Sequence, residues 1–284
     1  MDRLLATIVA GIEIYDLGRP LFSGVPQSPQ HPEFQLLLPR RHGDRLRPDD
    51  SSGANDLLIM GSHVGTHIDA LCHISHRGRL YGGIEASSVQ GVRGFSRLGI
   101  ETMTPIIGRG LLLDVATALG VECCPPDYEV TPEDLETALA LTRTVPSPGD
   151  VLLVRTGWGC HFDDRAVFEG AETGTTGPGE DAARWLADHR PRAVGSETIA
   201  FEHFPGDDAK SLLPAHRLLL VERGIHIVEL LDLDRLAADR LYEFTFLLSP
   251  LKIVGATGSP ARPIALVSEA GAQRGPEARP DGRG

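Results

Sequence analysis

Short apolar runs that follow glycine, proline or aspartate recur along the chain and predict buried strands. The most regular are residues 110–115 (GLLLDV) and 150–155 (DVLLVR), whose aliphatic positions are typical of strands covered on both faces. Less regular runs predict further strands at residues 13–16, 33–38, 57–69, 193–195, 225–230, 244–248, 253–254 and 264–267. We therefore expect the chain to contain a sheet.

Three segments carry the signals of helices. Thr131 is a good N-cap and Pro132 occupies the first helical position, so the sequence predicts a helix over residues 131–141. Two further helices are predicted over residues 179–189 and 213–222, the second ended by a glycine. Strands and helices alternate, but less regularly than in a doubly wound sheet, which favours an α/β fold with a mixed sheet.

Two segments of the chain lack the hydrophobic periodicity of strands and helices. Residues 18–56 are rich in proline, glycine, arginine and aspartate and are interpreted as a long loop. Residues 271–284 (GAQRGPEARPDGRG) are low in complexity and are predicted to be a disordered tail. Since no internal linker or solenoid repeat is visible, we predict one domain over residues 1–270.

Composition limits the partners and the location of the protein. The formal net charge is −12, whereas a nucleic-acid surface needs clustered lysine and arginine, so we expect no nucleic-acid partner. Residues 4–12 are apolar but far shorter than the ~20 residues of a spanning helix, so no membrane partner is expected. The four cysteines contain no Cys-x-x-Cys pair, which argues against a zinc knuckle and fits a reducing cytoplasm.

The most informative segment is residues 61–76 (GSHVGTHIDALCHISH). On an extended strand, alternate side chains share a face, so His63, His67 and Asp69 are predicted to point the same way. Gly65 lies between the two histidines and would let an ion approach the backbone. Two imidazoles and a carboxylate are ligands of Zn²⁺, Mn²⁺ or Fe²⁺ and leave positions open for water and substrate. The segment therefore predicts a metal site.

Other candidate site residues surround this segment in the sequence. His73 is either a further ligand or a general base and acid, since histidine transfers protons near neutral pH. His216 on the third helix and Glu229 on the following strand can reach one end of a sheet and complete a metal site. Candidate substrate-binding residues are Trp158, for which a core position is an equal alternative, Glu197 and His203.

The run HVGTHIDALCH from His63 to His73 resembles the HxGTHxDxxxH signature of the cyclase-like metal-dependent hydrolases. This family includes bacterial kynurenine formamidases, isatin hydrolases and proteins described as polyketide cyclases. The resemblance implies a swivelling β/β/α domain that assembles as homodimers or homotetramers, with one Mn²⁺ or two Zn²⁺ per chain. It implies that His73 is catalytic and that the metal ligands are His63, His67, Asp69, His216 and Glu229.

Two positions depart from the family pattern. Leu71 stands where the formamidases often carry proline, and Glu197 stands where many relatives carry aspartate. The first departure moves the chain away from the formamidase subgroup. The expected activity is hydrolysis of an amide, lactam or ester bond in a small cyclic or aromatic substrate by metal-activated water.

Three alternatives remain open at this point. A cyclisation or dehydration catalyst would use the same residues without consuming water. A non-haem iron oxygenase would use His67, Asp69 and His216 as a facial triad, but this leaves His63 and His73 without a role. A binding protein that kept the fold would not need the full set of ligands and base.

Overall fold

The computed structural model describes residues 3–205 and 213–268. Its strands are β1 Ile12–Asp16, β2 Gln35–Arg40, β3 Asn55–Ile59, β4 His67–Asp69, β5 Gln90–Gly91, β6 Gly94–Phe95, β7 Ile106–Asp114, β8 Glu129–Val130, β9 Val151–Arg155, β10 Gly177–Pro178, β11 Ala193–Ser196, β12 His226–Glu229, β13 Glu243–Leu248, β14 Gly258–Pro260 and β15 Ile264–Ser268. Its α-helices are α1 Arg3–Ala10, α2 Ala86–Val89, α3 Val115–Leu119, α4 Pro132–Thr142, α5 Arg165–Glu169, α6 Glu180–Asp188, α7 Pro214–His216 and α8 Asp234–Ala238.

Nine of these strands form one mixed sheet in the order β1-β15-β13-β7-β9-β11-β12-β4-β14. The four central strands β7, β9, β11 and β12 are parallel, and the strands on both flanks are antiparallel. The predicted α/β class with a mixed sheet is therefore confirmed. Antiparallel pairing at one flank places β4 directly beside β12, so the candidate site residues of these two strands are neighbours.

The central strands are buried on both faces, as their aliphatic runs predict. Leu111 and Leu152 face one apolar cluster, which also contains side chains of α4, α6 and the segment after α7, whereas Leu112 and Leu153 face a second cluster. This alternation follows from the period of two along a strand. Helices thus cover one face of the sheet, and the side chains that enter from that face can reach β4 and β12.

One predicted strand is wrong in a way that matters for the site. Residues 57–69 do not form a single strand, since β3 ends at Ile59 and β4 begins at His67. Between them the chain turns, and Gly65 has a φ of 67°, a left-handed conformation that an extended strand excludes. The prediction that His63 shares a strand face with His67 and Asp69 is therefore also wrong, because His63 lies in the turn.

Two smaller predictions also need correction. Residues 253–254 are not a strand, because the chain turns there toward Gly255, whose φ is 75°. The strand of this region is β14, a few residues later. The predicted helix over residues 213–222 begins as α7 and continues as a π-helix over Arg217–Arg223 that ends at Gly224. Single-turn π-helical segments are rare and frequently accompany functional sites.

The long region read as a loop contains a hairpin of β2 and β3. No helix within residues 3–205 and 213–268 is long and apolar enough to cross a membrane. The predicted tail over residues 271–284 lies outside the described residues, so its disorder and the domain boundary at residue 270 stay predictions.

Candidate metal centre

The register of two neighbouring strands brings the first candidate ligands together. His67 on β4 pairs directly with Glu229 on β12, and its Nε2 lies 3.2 Å from the Glu229 Oε2. Asp69 lies two residues after His67, so both side chains project from the same face of the sheet. Ile68 and Val228 point to the opposite face and belong to the apolar core.

His216 reaches the same point from the helical layer. Its Nε2 lies 3.2 Å from the Glu229 Oε1 and 3.5 Å from the Asp69 Oδ2. Its side chain is buried, as are those of His67, Asp69 and Glu229. The helix and the two strands therefore present four polar side chains to one small interior volume.

His63 and His73 complete the group from the loops that flank β4. The His63 Nδ1 lies 2.8 Å from the Asp69 Oδ1, and the His73 ring stacks on the His63 ring with centroids 4.0 Å apart. Ligand atoms of His63, Asp69 and His73 lie within 4.8 Å of one another, as do those of Asp69, His216 and Glu229. Asp69 is common to both triads, so its two carboxylate oxygens can serve two neighbouring positions.

The polar atoms of this cluster fit a metal ion because several of them lie close to one another without the geometry of a hydrogen bond. Among the described residues, the buried side-chain atoms without a partner include the His63 Nδ1, the His67 Nε2, both Asp69 oxygens and the Glu229 Oε1. Buried polar atoms in proteins are almost always satisfied by a partner, and unsatisfied ones call for an ion or water. Imidazole nitrogens and carboxylate oxygens are also the donors that Zn²⁺ and Mn²⁺ accept.

Hydrogen bonds behind the cluster orient two of the imidazoles. The His67 Nδ1 lies 2.8 Å from the Gly65 carbonyl oxygen, and the His216 Nδ1 lies 2.6 Å from the Glu202 Oε1. If each Nδ1 donates, each Nε2 carries its lone pair toward the centre, the arrangement that metal-binding histidines usually have. Glu202 is buried and also accepts the backbone N–H groups of Ala215 and His216.

We expect Glu202→Gln to weaken metal binding without removing a ligand. The neutral amide cannot stabilise the donating His216 Nδ1–H as a carboxylate does, and loss of such a partner typically lowers metal affinity about 10–100-fold. Competition of the purified protein with a chromophoric chelator for Zn²⁺ measures this change. Glu172→Gln, an exposed position, is the matched control. Equal zinc affinities for the two variants would contradict this role of Glu202.

Burial and mutual charge set the protonation of the cluster in the metal-free protein. Burial alone would raise the pKa of Asp69, but the neighbouring His73 and His63 hold it well below its usual range. Burial opposes protonation of His216, yet its contacts with Asp69, Glu202 and Glu229 raise its pKa well above the usual value. Burial lowers the pKa of His73 to about 4. His73 is therefore neutral at pH 7 and can accept a proton.

The structure places the three candidate substrate-binding residues outside this cluster. Trp158 is fully buried and its Nε1 donates to the Phe168 carbonyl oxygen, so it is a core residue. Glu197 is buried and accepts hydrogen bonds from the backbone and side chain of Thr156. His203 contacts Asp127 through its Nε2 at 2.7 Å. Contact of these three residues with a substrate stays a prediction.

Sequence reasoning missed several residues that surround the cluster. The His31 ring stacks on His63 with centroids 5.4 Å apart, and the Thr257 Oγ1 lies 2.9 Å from the His63 Nε2. Gly258 pairs with Asp69 across β4 and β14, and a Cβ at Gly258 would lie 2.7 Å from the His63 Cε1. None carries a local signal, because each reaches the site only through contacts distant in sequence.

A cleft of about 660 Å³ lies beside the cluster rather than on it. Its lining includes Thr66, which precedes His67 in the chain, and Pro260, which pairs with His67 across the sheet. None of the six clustered residues lines it. Its volume is within the range of small-molecule pockets.

Comparison with known proteins agrees with this fold. The model of the Cyclase family matches residues 15–203. The isatin hydrolase of Roseibium aggregatum is 28% identical over 278 residues, which covers 95% of this chain and 98% of that protein. A crystal structure described as a novel cyclase has a TM-score of 0.82 and 31% identity, and the match covers 93% of this chain and 92% of that one. This likeness confirms the fold expected from the resemblance.

A further solved structure extends the likeness in fold alone. Isatin hydrolase A from Ralstonia solanacearum has a TM-score of 0.72 at 22% identity, and the match covers 94% of this chain and 98% of that one. The fold is therefore shared across proteins whose sequences have diverged widely.

Proposed function

The chain belongs to the Cyclase family, and from this premise we propose that it is a metal-dependent hydrolase of an amide, lactam or ester bond in a small cyclic or aromatic substrate. The isatin hydrolase relative supports this class of reaction, because isatin hydrolysis opens a lactam. The observation that carries the proposal is the buried cluster of unsatisfied nitrogen and oxygen atoms around Asp69.

Each clustered residue has a defined task in this proposal. His67, Asp69, His216 and Glu229 would hold one divalent ion, Zn²⁺ or Mn²⁺, and His63 would supply a further nitrogen beside the Asp69 Oδ1. When bound, the ion polarises a carbonyl group and lowers the pKa of water to about 7 in favourable cases. Because Asp69 belongs to both triads, a second ion is also compatible with the donor set.

His73 is the general base and acid of the proposed reaction. Its low pKa leaves the imidazole neutral at pH 7, so it can take a proton from the attacking water and give it to the leaving nitrogen or oxygen. Stacking on His63 fixes the plane of its ring beside the donor cluster.

Metal content and turnover, measured together, test this function. We expect about one or two equivalents of Zn or Mn per chain by elemental mass spectrometry, and loss of turnover on chelation with recovery on adding metal back. Isatin and N-formylkynurenine are the first substrates to assay, followed by other lactams and esters. A protein that neither contains nor takes up these metals would contradict the proposal.

Cyclisation or dehydration at the same site is the second candidate, and the family name and the novel-cyclase structure favour it. Turnover in ¹⁸O-labelled water separates the two reactions, since hydrolysis incorporates the label into the product. The oxygenase alternative has less support, because His216 lies on a helix and His63, His73 and Glu229 join the same cluster.

A cytoplasmic location also stays a prediction, and all four cysteines are free thiols.

We also propose that the chain forms a homo-oligomer through the hairpin of β2 and β3. Six large aliphatic side chains of this hairpin are exposed: Leu36, Leu37, Leu38, Leu57, Leu58 and Ile59. An isolated two-stranded hairpin is marginally stable in water, and exposed apolar side chains on both of its faces usually mark an interface. A second copy of the chain would cover it.

Charge on this hairpin is expected to dissociate the oligomer. In Leu37→Lys and Leu58→Lys, the ammonium groups would have to be buried without a partner, which opposes association. Sedimentation velocity should show a dimer or tetramer for the wild type and a monomer for the double variant. Val145→Lys, an exposed apolar position outside the hairpin, is the control and should leave the mass unchanged. A monomeric wild type would contradict the proposed assembly.

A further inference from the structure

Two segments distant in sequence meet on the side of the molecule that carries Trp158. One contains Cys123, and the other is the single 3-10 turn Trp158–His161 that follows β9. The Cys124 N–H donates to the Thr156 carbonyl oxygen at 2.7 Å. Gly157 has a φ of 81°, and a Cβ at this position would collide with the Glu122 carbonyl oxygen. The fold therefore fixes these two segments against each other.

Three soft donor atoms converge where the segments meet. The Cys123 Sγ lies 3.7 Å from the His161 Nε2, and the ligand atoms of Cys123, Cys160 and His161 all lie within 4.8 Å of one another. Tetrahedral zinc, with Zn–S bonds of about 2.3 Å and Zn–N bonds of about 2.0 Å, separates a sulfur and a nitrogen ligand by ~3.6 Å. The observed separation of sulfur and nitrogen matches this geometry before any ion is bound.

The surroundings of the three residues allow an ion to enter. Cys160 is exposed, whereas Cys123 and His161 are half-buried. Three protein donors leave one coordination position of a tetrahedral ion for solvent. The two thiols alone could form a disulfide, but a disulfide would not involve the His161 imidazole that lies beside them. The position of the His161 Nε2 therefore favours metal binding over oxidation.

We propose that Cys123, Cys160 and His161 form a second metal site that binds a thiophilic divalent ion such as Zn²⁺, separate from the cluster around Asp69. The two sites share no residue. The proposed site differs in chemistry as well, because it offers two sulfurs and one nitrogen, whereas the first offers only nitrogen and oxygen.

A metal ion at this site would stabilise the apolar residues that pack next to the Asp69 cluster. The Trp158 ring contacts the His161 ring with centroids 4.8 Å apart. Trp158 belongs to one apolar cluster with Val64 and Leu230, and Cys123 packs against that cluster. Val64 follows His63 and Leu230 follows Glu229 in the chain. An ion that joins Cys123 to the turn would thus hold in place the residues next to two candidate ligands.

Cobalt substitution tests this proposal independently of the hydrolase function. Thiolate ligands give bound Co²⁺ a near-ultraviolet charge-transfer absorption that nitrogen and oxygen ligands do not give. We expect this band when Co²⁺ is added to the reduced, metal-free chain, with saturation at one equivalent per chain for the sulfur site. The band should persist in Asp69→Asn, so failure of the first metal site and failure of this one give different results.

The variants separate the three proposed ligands from the other cysteines. Cys123→Ser and Cys160→Ser should each lose most of the band, and Cys124→Ala, the matched control beside Cys123, should retain it. His161→Ala should shift the band and weaken cobalt binding. No band in the reduced wild type, or an undiminished band in Cys160→Ser, would overturn the proposal. A chain two hydrogens lighter than its reduced form, with no band after reduction, would assign the two cysteines to a disulfide instead.

Discussion

Asp69→Asn is expected to remove bound metal from the first site and to lower kcat/KM by about 10³-fold or more. Asp69 is the residue common to both triads, and both of its oxygens face the cluster without a hydrogen-bond partner. Loss of a charged ligand removes several kcal/mol of transition-state stabilisation when a metal provides the catalysis, and each 1.36 kcal/mol is about a tenfold change in rate. Elemental analysis and steady-state kinetics on the same preparation measure both effects.

The control for this variant is Asp181→Asn, which removes an exposed carboxylate and should leave metal content and kcat/KM unchanged. Circular dichroism and thermal unfolding confirm that Asp69→Asn is folded, since the amide has nearly the same shape as the carboxylate. A folded Asp69→Asn protein that keeps its full complement of metal and its activity would show that the cluster is not the metal centre.

His73→Ala is expected to lower kcat by about 10²–10⁴-fold, the usual contribution of a general acid or base. The metal content of the first site should stay at the wild-type level, because the other five clustered residues remain. The structure makes this second measurement essential, since a His73 nitrogen lies close enough to His63 and Asp69 to be a ligand itself. Elemental analysis and kinetics therefore distinguish proton transfer from metal binding.

His76→Ala serves as the control for His73→Ala. His76 lies three residues later, and its backbone pairs with Arg79 in a tight turn, so we expect little change in kcat. Joint loss of metal and activity in His73→Ala would identify His73 as a ligand, and full activity would exclude both roles.

The parts of the fold that could be predicted from sequence are those set by local pattern. β7 and β9 contain short aliphatic runs that are typical of strands buried on both faces, and α4 has its cap and proline in the expected places. The prediction of one strand over residues 57–69 was wrong because the local pattern there is ambiguous. Gly65 adopts a left-handed conformation and turns the chain, but a glycine in a sequence is also compatible with a strand.

The residues that cluster around Asp69 could be named from the sequence, but their geometry could not. The spacing of His67 and Asp69 on β4 follows from the alternation of a strand, and the resemblance to a family pointed to His216 and Glu229. The contact of Glu202 with His216 depends on how α7 packs. No period or motif encodes such a contact, because its two partners belong to different elements.

Gly258 shows how a position without any donor atom can be as constrained as a ligand. It pairs with Asp69 across the sheet, and the His63 ring occupies the volume where a side chain would be. A survey of natural variants or a mutational scan would therefore rank this glycine beside the histidines and acids of the site, although it binds nothing. Redesign of the candidate centre for another metal must therefore leave this position without a side chain, since a methyl group there would displace the His63 imidazole.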